Sequence, residues 1–333
     1  MTRGSIFWMD GGDEAEVVEV VEDVEIIEVH LDRLTSTTSP PSTTSTTFSP
    51  YLMPTPMDRR TFLAALGVVA CAPRATLGAT RRLNRVGIQL YSLRDDARRD
   101  LERTIADIAA IGYKDVELLG SMSNFGMPPV QLRAVLDRNG LRAPSTHVSG
   151  NALDDLDRQL DDARTLGHDY LIVASLPISG PRTVDDYRRW ADRFNDSGRR
   201  ARERGVWIGF HNHANDCTPI DGVVPYDVLM DRTDAAVVRM QLDTGNLAMA
   251  GLDPHEYMRR YGPRYWSFHI KDVARLGATH DTELGKGAID FTRLLASIDR
   301  IDEKHLFVEQ ETYPGAPVES LKRDYEYIAR LEF

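Results

Sequence analysis

Eight times between Arg81 and Phe333 a short apolar run gives way to an amphipathic stretch, and no other feature of this 333-residue chain narrows its fold so far. The runs are RVGIQLYSL (85–93), DVELLG (115–120), APSTHV (143–148), YLIVAS (170–175), VWIGFHN (206–212), VVRMQLD (237–243), YWSFHIKD (265–272) and HLFVEQE (305–311). Between them lie helical patterns such as DLERTIADIAAIG, in which Leu101, Ile105 and Ile108 share a face, and VDDYRRWADRFNDSGRRARERG, which Gly205 closes. Strand–helix alternation implies parallel strands, because a parallel pair needs a long crossover connection. Eight such units in about 250 residues match a closed (β/α)8 barrel, the TIM-barrel class. An open doubly wound sheet would usually carry a glycine-rich phosphate turn after its first strand, and QLYSLRDD stands there instead. No repeat or Ser/Gly linker marks a second domain after residue 79, so residues 80–333 are expected to form a single barrel.

The sequence before that point is of another kind. An acidic stretch, DEAEVVEVVEDVEIIEVHLD, runs into TSTTSPPSTTSTTFSP, which is too polar to build a core, so residues 1–56 are expected to be disordered or a consequence of start-site choice. Residues 57–79 read as an export signal of twin-arginine type: Arg59 and Arg60, then the apolar stretch Phe62 to Ala72, then small residues for cleavage. The expected location is therefore periplasmic or in the cell envelope. Val68-Val69-Ala70-Cys71 also resembles a lipoprotein box, so a membrane anchor through lipidated Cys71 stays open, as does homo-oligomerisation. With that segment removed only Cys217 remains, and no disulfide framework can form. The net charge of −11 falls to about −5 once the 11 acidic and 5 basic side chains of residues 1–79 are set aside. A mildly acidic domain argues against nucleic acid as a partner.

Barrel enzymes place their chemistry at the carboxyl ends of the strands. In GFHNHAND (209–216) alternation sends His211 and His213 to one side and Asn212 to the other. His147 ends the third run, Asp243 the sixth, His269 and Lys271 the seventh, Glu309 and Glu311 the eighth. Four consecutive strands thus finish in metal-capable side chains, which packing alone does not explain, since each would need its own buried partner. Imidazole and carboxylate donors together suit Mn, Fe, Co or Zn, with Mg a poorer match. Gln89, Glu117 and His147 are expected to reach a substrate from the first three strands, with Glu311 from the last and Tyr91 beside Gln89 on the floor. Trp207, Phe210, Trp266 and Phe268 are expected between strands and helices, and His168, His255, His280 and His305 in structural or surface positions. Glu283, in ELGKGAID, either covers the substrate or lies in solvent.

Five segments, FHNH, LDTGN, FHIKD, LGKGAIDF and FVEQE, taken in order and spacing, resemble the xylose-isomerase-like barrel superfamily, the sugar phosphate isomerase/epimerase group that also contains ketose epimerases and inosose dehydratases. The likeness runs from about Val86 to Tyr327. It implies a divalent metal, manganese first and zinc, cobalt, iron or magnesium after it, held by His211, Asp243, His269 and Glu309. Several members of the group, ketose epimerases among them, have Glu where His211 stands. Two ligand carboxylates on opposite faces of an enediolate serve epimerisation there, so the histidine weakens that symmetric mechanism and leaves one-base proton transfer or elimination.

The expected function is that of a metal-dependent isomerase or epimerase acting through an enediolate on a free sugar or polyol derivative. A lyase or hydratase acting on a keto-sugar or keto-glycoside by the same enolate is the alternative, and a non-catalytic sugar-binding barrel the third. Glu309 is the expected base, Lys271 a donor to the developing oxyanion, and His213 or Glu311 the second proton carrier. An exported enzyme would meet few phosphorylated sugars.

Overall fold

The computed structural model describes residues 80–333. The expected extension at 1–56, the signal at 57–79 and the anchoring Cys71 lie outside the described residues. Parallel strands β1 (Gly87–Gln89), β2 (Asp115–Glu117), β3 (Ser145–Ser149), β4 (Tyr170–Ser175), β5 (Trp207–His211), β6 (Val238–Asp243) and β7 (Tyr265–Ile270) follow one another around the sheet. A two-stranded ribbon of β8 (Asp272–Val273) and β9 (Asp281–Thr282) interrupts the sequence before β10 (His305–Val308) fits between β7 and β1. The remaining seam, between β2 and β3, is held by the bridges Asp115↔Arg142 and Leu118↔Thr146. Backbone bonds from Val116 N to Arg142 O (2.8 Å) and His147 N to Leu118 O (2.9 Å) complete the ring. The expected eight-stranded barrel is therefore present in the expected order.

Helices cover the outside because their apolar stripes have nowhere else to go. In Leu101–Ile111 the side chain of Asp100 caps the Arg103 amide, and Leu101, Ile105 and Ile108 are buried as their spacing requires. The longest helix among the described residues, Val184–Glu203, opens with a reciprocal cap between Thr183 and Asp186 and buries Tyr187, Trp190, Phe194 and Ala201. Phe194 meets Phe210 of β5 with ring centroids 5.7 Å apart, and Phe210 meets Tyr226 at 6.2 Å. Each fully buried ring or aliphatic side chain contributes about 1.5–3 kcal/mol relative to exposure. Phe210 and Phe268 thus lie between strands and helices, as alternation predicts.

Trp207 and Trp266 do not. Both are partly exposed and hold the Arg239 guanidinium between them, 3.6 Å from each ring centroid. The reason at β7 is a register shift: Met240 pairs with Tyr265 and Gln241 with Ser267, so Trp266 is skipped and escapes alternation. Trp207 opens β5 on the same side as Gly209 and His211. One smaller expectation also changes. β1 ends at Gln89, so Tyr91 falls in the following turn and packs under Arg94 rather than lining the floor. His305 opens β10 and is part of the barrel wall.

Glycine and histidine positions inside this shell give two tests. A Cβ at Gly209 would lie 2.5 Å from Ile172 Cδ1 and 2.8 Å from the Arg239 carbonyl oxygen. Gly209→Ala is expected to lower stability by about 1–3 kcal/mol through overpacking, read from urea unfolding; unchanged stability would mean the barrel interior has slack there. His168 is buried after the left-handed Gly167, and its Nδ1 donates to the Ala143 carbonyl at 2.6 Å. Burial, opposed by that bond, holds its imidazole down to about 4, below the ordinary 6.5. Folded chains then bind this proton less readily than unfolded ones, so stability present above pH 6.5 is lost as pH falls toward 4. Wild type should lose roughly 2 kcal/mol relative to His168→Gln between pH 7.5 and 4.5, measured by urea unfolding at each pH; parallel profiles would contradict this.

Candidate functional site

At the carboxyl end of the barrel His211, Asp243, His269 and Glu309 each present a donor atom, and the four atoms lie within 4.8 Å of one another. All four side chains are buried. The local sequence around Asp243 explains how its carboxylate is aimed. Asp243 caps the helix Thr244–Met249, so its Oδ1 accepts from the Asn246 amide at 2.7 Å. Its Oδ2 is left buried without a hydrogen bond among the described residues, 3.9 Å from His211 Nε2 and 3.7 Å from His269 Nδ1. Thr244 Oγ1 donates to the Lys271 carbonyl at 2.7 Å and pins the end of β7. A Cβ at Gly245 would overlap the Lys271 stem, so LDTGN is a packing requirement at three of its positions. Asn212, turned outward as expected, accepts from the Asp243 amide at 2.9 Å and ties β5 to β6.

One layer deeper, Glu117 is buried and accepts from Gln89 Nε2 (2.7 Å), Ser145 Oγ (2.5 Å) and Gln241 Nε2 (2.9 Å). His269 Nε2 lies 2.5 Å and His147 Nε2 3.1 Å from its Oε2. Ser145, Gln241 and Ser267 stand two residues before His147, Asp243 and His269 on their strands, which sets this layer below the mouth. Glu117 and Gln89 were expected to reach substrate. The structure instead occupies both within the protein, because alternation specifies facing and not depth. His147 is likewise turned to the network, its Nε2 2.9 Å from Gln241 Oε1. Gln241 is the residue the sequence reading missed: its Oε1 also meets His211 Nδ1 at 2.9 Å and its Nε2 donates to Ser267 Oγ at 2.8 Å. Its position two before Asp243 was the available signal.

Lys271 is buried above the four donors, 2.7 Å from Glu311 Oε1, 2.9 Å from Glu309 Oε2 and 3.3 Å from Asp243 Oδ2. These ion pairs run to Glu309 and Glu311 after β10 and to Asp243 at the end of β6, the strands that flank β7, and among the described residues none is made to Asp272. Asp272 instead accepts from the amides of Gly285 and Gly287, at 3.0 Å each, and shapes the loop after β9. Glu283 in that loop neither covers the mouth nor sits in solvent, since it is buried and accepts from Arg323 Nε and Ser320 Oγ, both at 2.8 Å. His213 lies just past β5, its ring 4.7 Å from that of His211 and its side chain 47% exposed at the rim.

The charges are strongly coupled. Burial opposes ionisation of Glu309, yet the Lys271 ammonium and His269 hold its carboxyl down to about 2. Asp243 is held well below the carboxylate range, against burial, by Lys271 and His269. Burial and the neighbouring imidazoles keep His211 neutral, whereas Glu309 and Glu117 overcome burial to hold His269 well above the ordinary histidine value. An Asp243 oxygen that accepts no hydrogen bond and has only the Lys271 ammonium at 3.3 Å for close charge, a neutral imidazole and the Glu309 carboxylate converging on one point fit a divalent cation. A cation there would take over the charge that the His269 proton now carries.

The family described as "Xylose isomerase-like TIM barrel" matches residues 94–331. An inosose dehydratase from Geobacillus kaustophilus (strain HTA426) is 26% identical over 273 residues, covering 69% of this chain and 87% of that protein. An inosose dehydratase from Bacillus thuringiensis (strain Al Hakam) is 26% identical over 184 residues, 49% of this chain and 61% of its own length. A sugar phosphate isomerase/epimerase from Parabacteroides distasonis ATCC 8503 superposes with a TM-score of 0.63 at 23% identity, over 74% of this chain and 98% of that one. The IOLI protein with a binding zinc atom gives a TM-score of 0.57 at 14% identity, over 73% and 95%. Both superpositions show the fold.

Removing the central carboxylate tests the network directly. Glu117→Ala would leave a charged His269 and two buried amide donors without their acceptor. A loss of about 3–5 kcal/mol is expected, read by urea unfolding at neutral pH; a loss under 1 kcal/mol would show that the mouth does not lean on Glu117.

Proposed function

The chain belongs to the xylose isomerase-like TIM barrel family, and from that premise we propose that it is a divalent-metal-dependent lyase that eliminates a β-substituent from a keto-polyol, keto-sugar or keto-glycoside through an enediolate. The observation that carries this reading is the asymmetry of the mouth. Glu309 presents an ionised carboxylate on β10's side, while β5 presents the neutral His211, whose Nδ1 is tied to Gln241. One face of a bound substrate would meet a carboxylate base and the other would not.

His211, Asp243, His269 and Glu309 would hold the cation, with manganese, zinc, cobalt and iron better suited than magnesium to two imidazoles and two carboxylates. Such a cation supplies Lewis-acid polarisation of the substrate carbonyl oxygen. Glu309 takes the proton from the carbon beside that carbonyl, and the electron pair moves onto the oxygen. Its depressed proton affinity keeps it ionised at working pH but makes it a weak base, so the transfer depends on an acidified substrate. Lys271 donates a hydrogen bond to the developing oxyanion from its buried position between Glu309 and Glu311. Return of the electron pair expels the β-oxygen, which is protonated at the half-exposed rim through His213, whose imidazole, held below the ordinary histidine value by burial, relays a proton from water. The segment at 57–79 supports an exported enzyme and hence a substrate without phosphate.

A second reading, isomerisation or epimerisation of a free sugar or polyol derivative, draws on Glu311. Lys271 bridges it to Glu309, which supplies a route for handing a proton to the neighbouring carbon. The experiment is incubation of the manganese-loaded chain with keto-polyols and keto-glycosides in deuterated water. Release of a leaving group is expected, with Glu309→Gln lowering kcat by about 10²–10⁴-fold and Asp243→Asn losing both bound manganese and its thermal stabilisation. Deuterium entry without leaving-group release would replace the lyase by the isomerase. Retained metal with neither event would leave a sugar-binding barrel.

A further inference from the structure

The opposite end of the barrel is open. A cavity of about 570 Å³ lies among side chains at the strand beginnings, with Arg142, Tyr170, Arg239, Lys304 and His305 in its wall. Trp207, Arg239 and Lys304 of its wall belong to a column of stacked groups that Trp266 and Arg202 complete. Arg202 lies 3.8 Å from the Trp207 ring centroid, Arg239 lies 3.6 Å from both Trp207 and Trp266, and Lys304 Nζ lies 3.8 Å from Trp266. Cation–π contacts favour each charge on its ring, but they do nothing for the repulsion among three cations in one stack.

Carboxylates do not settle that repulsion. Among the described residues Arg202, Arg239 and Lys304 form no salt bridge; Arg239 donates to the Tyr170 hydroxyl and Lys304 to the Tyr265 carbonyl at 2.8 Å. The acidic groups nearby are engaged elsewhere: Asp115 takes Arg142 at 2.8 Å and Arg85 at 3.3 Å, Asp302 takes Asn84 at 2.7 Å, and Glu303 takes Arg300 at 3.1 Å. Asp169 on the rim is exposed and keeps the mouth from being uniformly positive. Burial, with Arg300 and Arg239, holds the Lys304 ammonium down to about 8, as expected of a charge short of a counter-ion.

We propose that this amino-terminal cavity binds a small oxyanion, a phosphate or carboxylate group on a compact polar body, through Arg239 and Lys304. The cavity is several times larger than the anion itself, and Tyr170, His305 and Arg142 are placed to meet the body that carries it. The guanidinium edge of Arg239, with its flat faces taken by two indoles, is left to make in-plane hydrogen bonds to oxygen. This site stands apart from the metal reading, since it shares no residue with the carboxyl-end cluster.

The test is titration of the full chain with sodium phosphate and, separately, sodium citrate at constant ionic strength set with sodium chloride. A saturating rise in Tm is expected for at least one of them, about 3 °C at ten times the dissociation constant. Arg239→Met and Lys304→Met should each weaken binding at least ten-fold; Lys304→Met leaves the Trp207–Arg239–Trp266 sandwich intact and serves if Arg239→Met does not fold. Stronger binding of phosphate or of citrate assigns the head group, and either supports the site. A rise that does not saturate, or that is the same in Lys304→Met, overturns it. Manganese stabilisation of Lys304→Met at the wild-type level would show that the two ends fail or succeed separately.

Discussion

A carboxylate on the barrel axis is the constraint around which the mouth is arranged. Glu117 is buried, and an isolated ionised carboxylate in such a place would cost many kcal/mol unless it were neutralised or surrounded by donors. Here it stays well below the carboxylate range, against burial, because His147 and His269 face it, and three further side chains donate to it. One consequence reaches the surface. With Nε2 committed to Glu117, His269 turns Nδ1 toward Asp243 and Glu309, so the orientation of a mouth residue is decided one layer below.

Gln241 extends the same logic to the other imidazoles. Its single carbonyl oxygen meets His147 and His211, and its amide group points down to Glu117 and Ser267. An acceptor at His211 Nδ1 implies the proton there, which leaves Nε2 as the lone pair facing Asp243 Oδ2. The four converging donors therefore do not depend on flexible surface residues. They are held by a buried polar network in which nearly every group has a hydrogen-bond partner, and the Asp243 oxygen that accepts none lies in the cluster, 3.3 Å from the Lys271 ammonium.

The two ends of the barrel solve opposite electrostatic problems with one architecture. Carboxylates crowd the carboxyl end and are balanced by Lys271 and His269, whereas cations crowd the amino end and are spread over two indole faces. Period-two alternation allows this, because successive inward residues of one strand lie at successive heights, and β6 supplies Arg239, Gln241 and Asp243 to three of them.

Helix faces and the inward facing of strand-end residues were legible in the sequence, because each rests on local periodicity: 3.6 for Leu101, Ile105 and Ile108, and two for His147, His211, Asp243, His269 and Glu309; that His211, Asp243, His269 and Glu309 form one set was what the family resemblance implied. The LDTGN and FHNH segments could likewise be placed at strand ends from their own neighbours. Depth was not legible. Glu117 and Gln89 face inward as read, yet only the tilt and closure of the ring bring them under His269 rather than to the mouth. Trp266 was misplaced because a register shift between β6 and β7 belongs to the pair of strands and to neither sequence alone. Local chemistry thus named the groups that could meet, and three-dimensional closure decided which of them share a level, a partner and a charge.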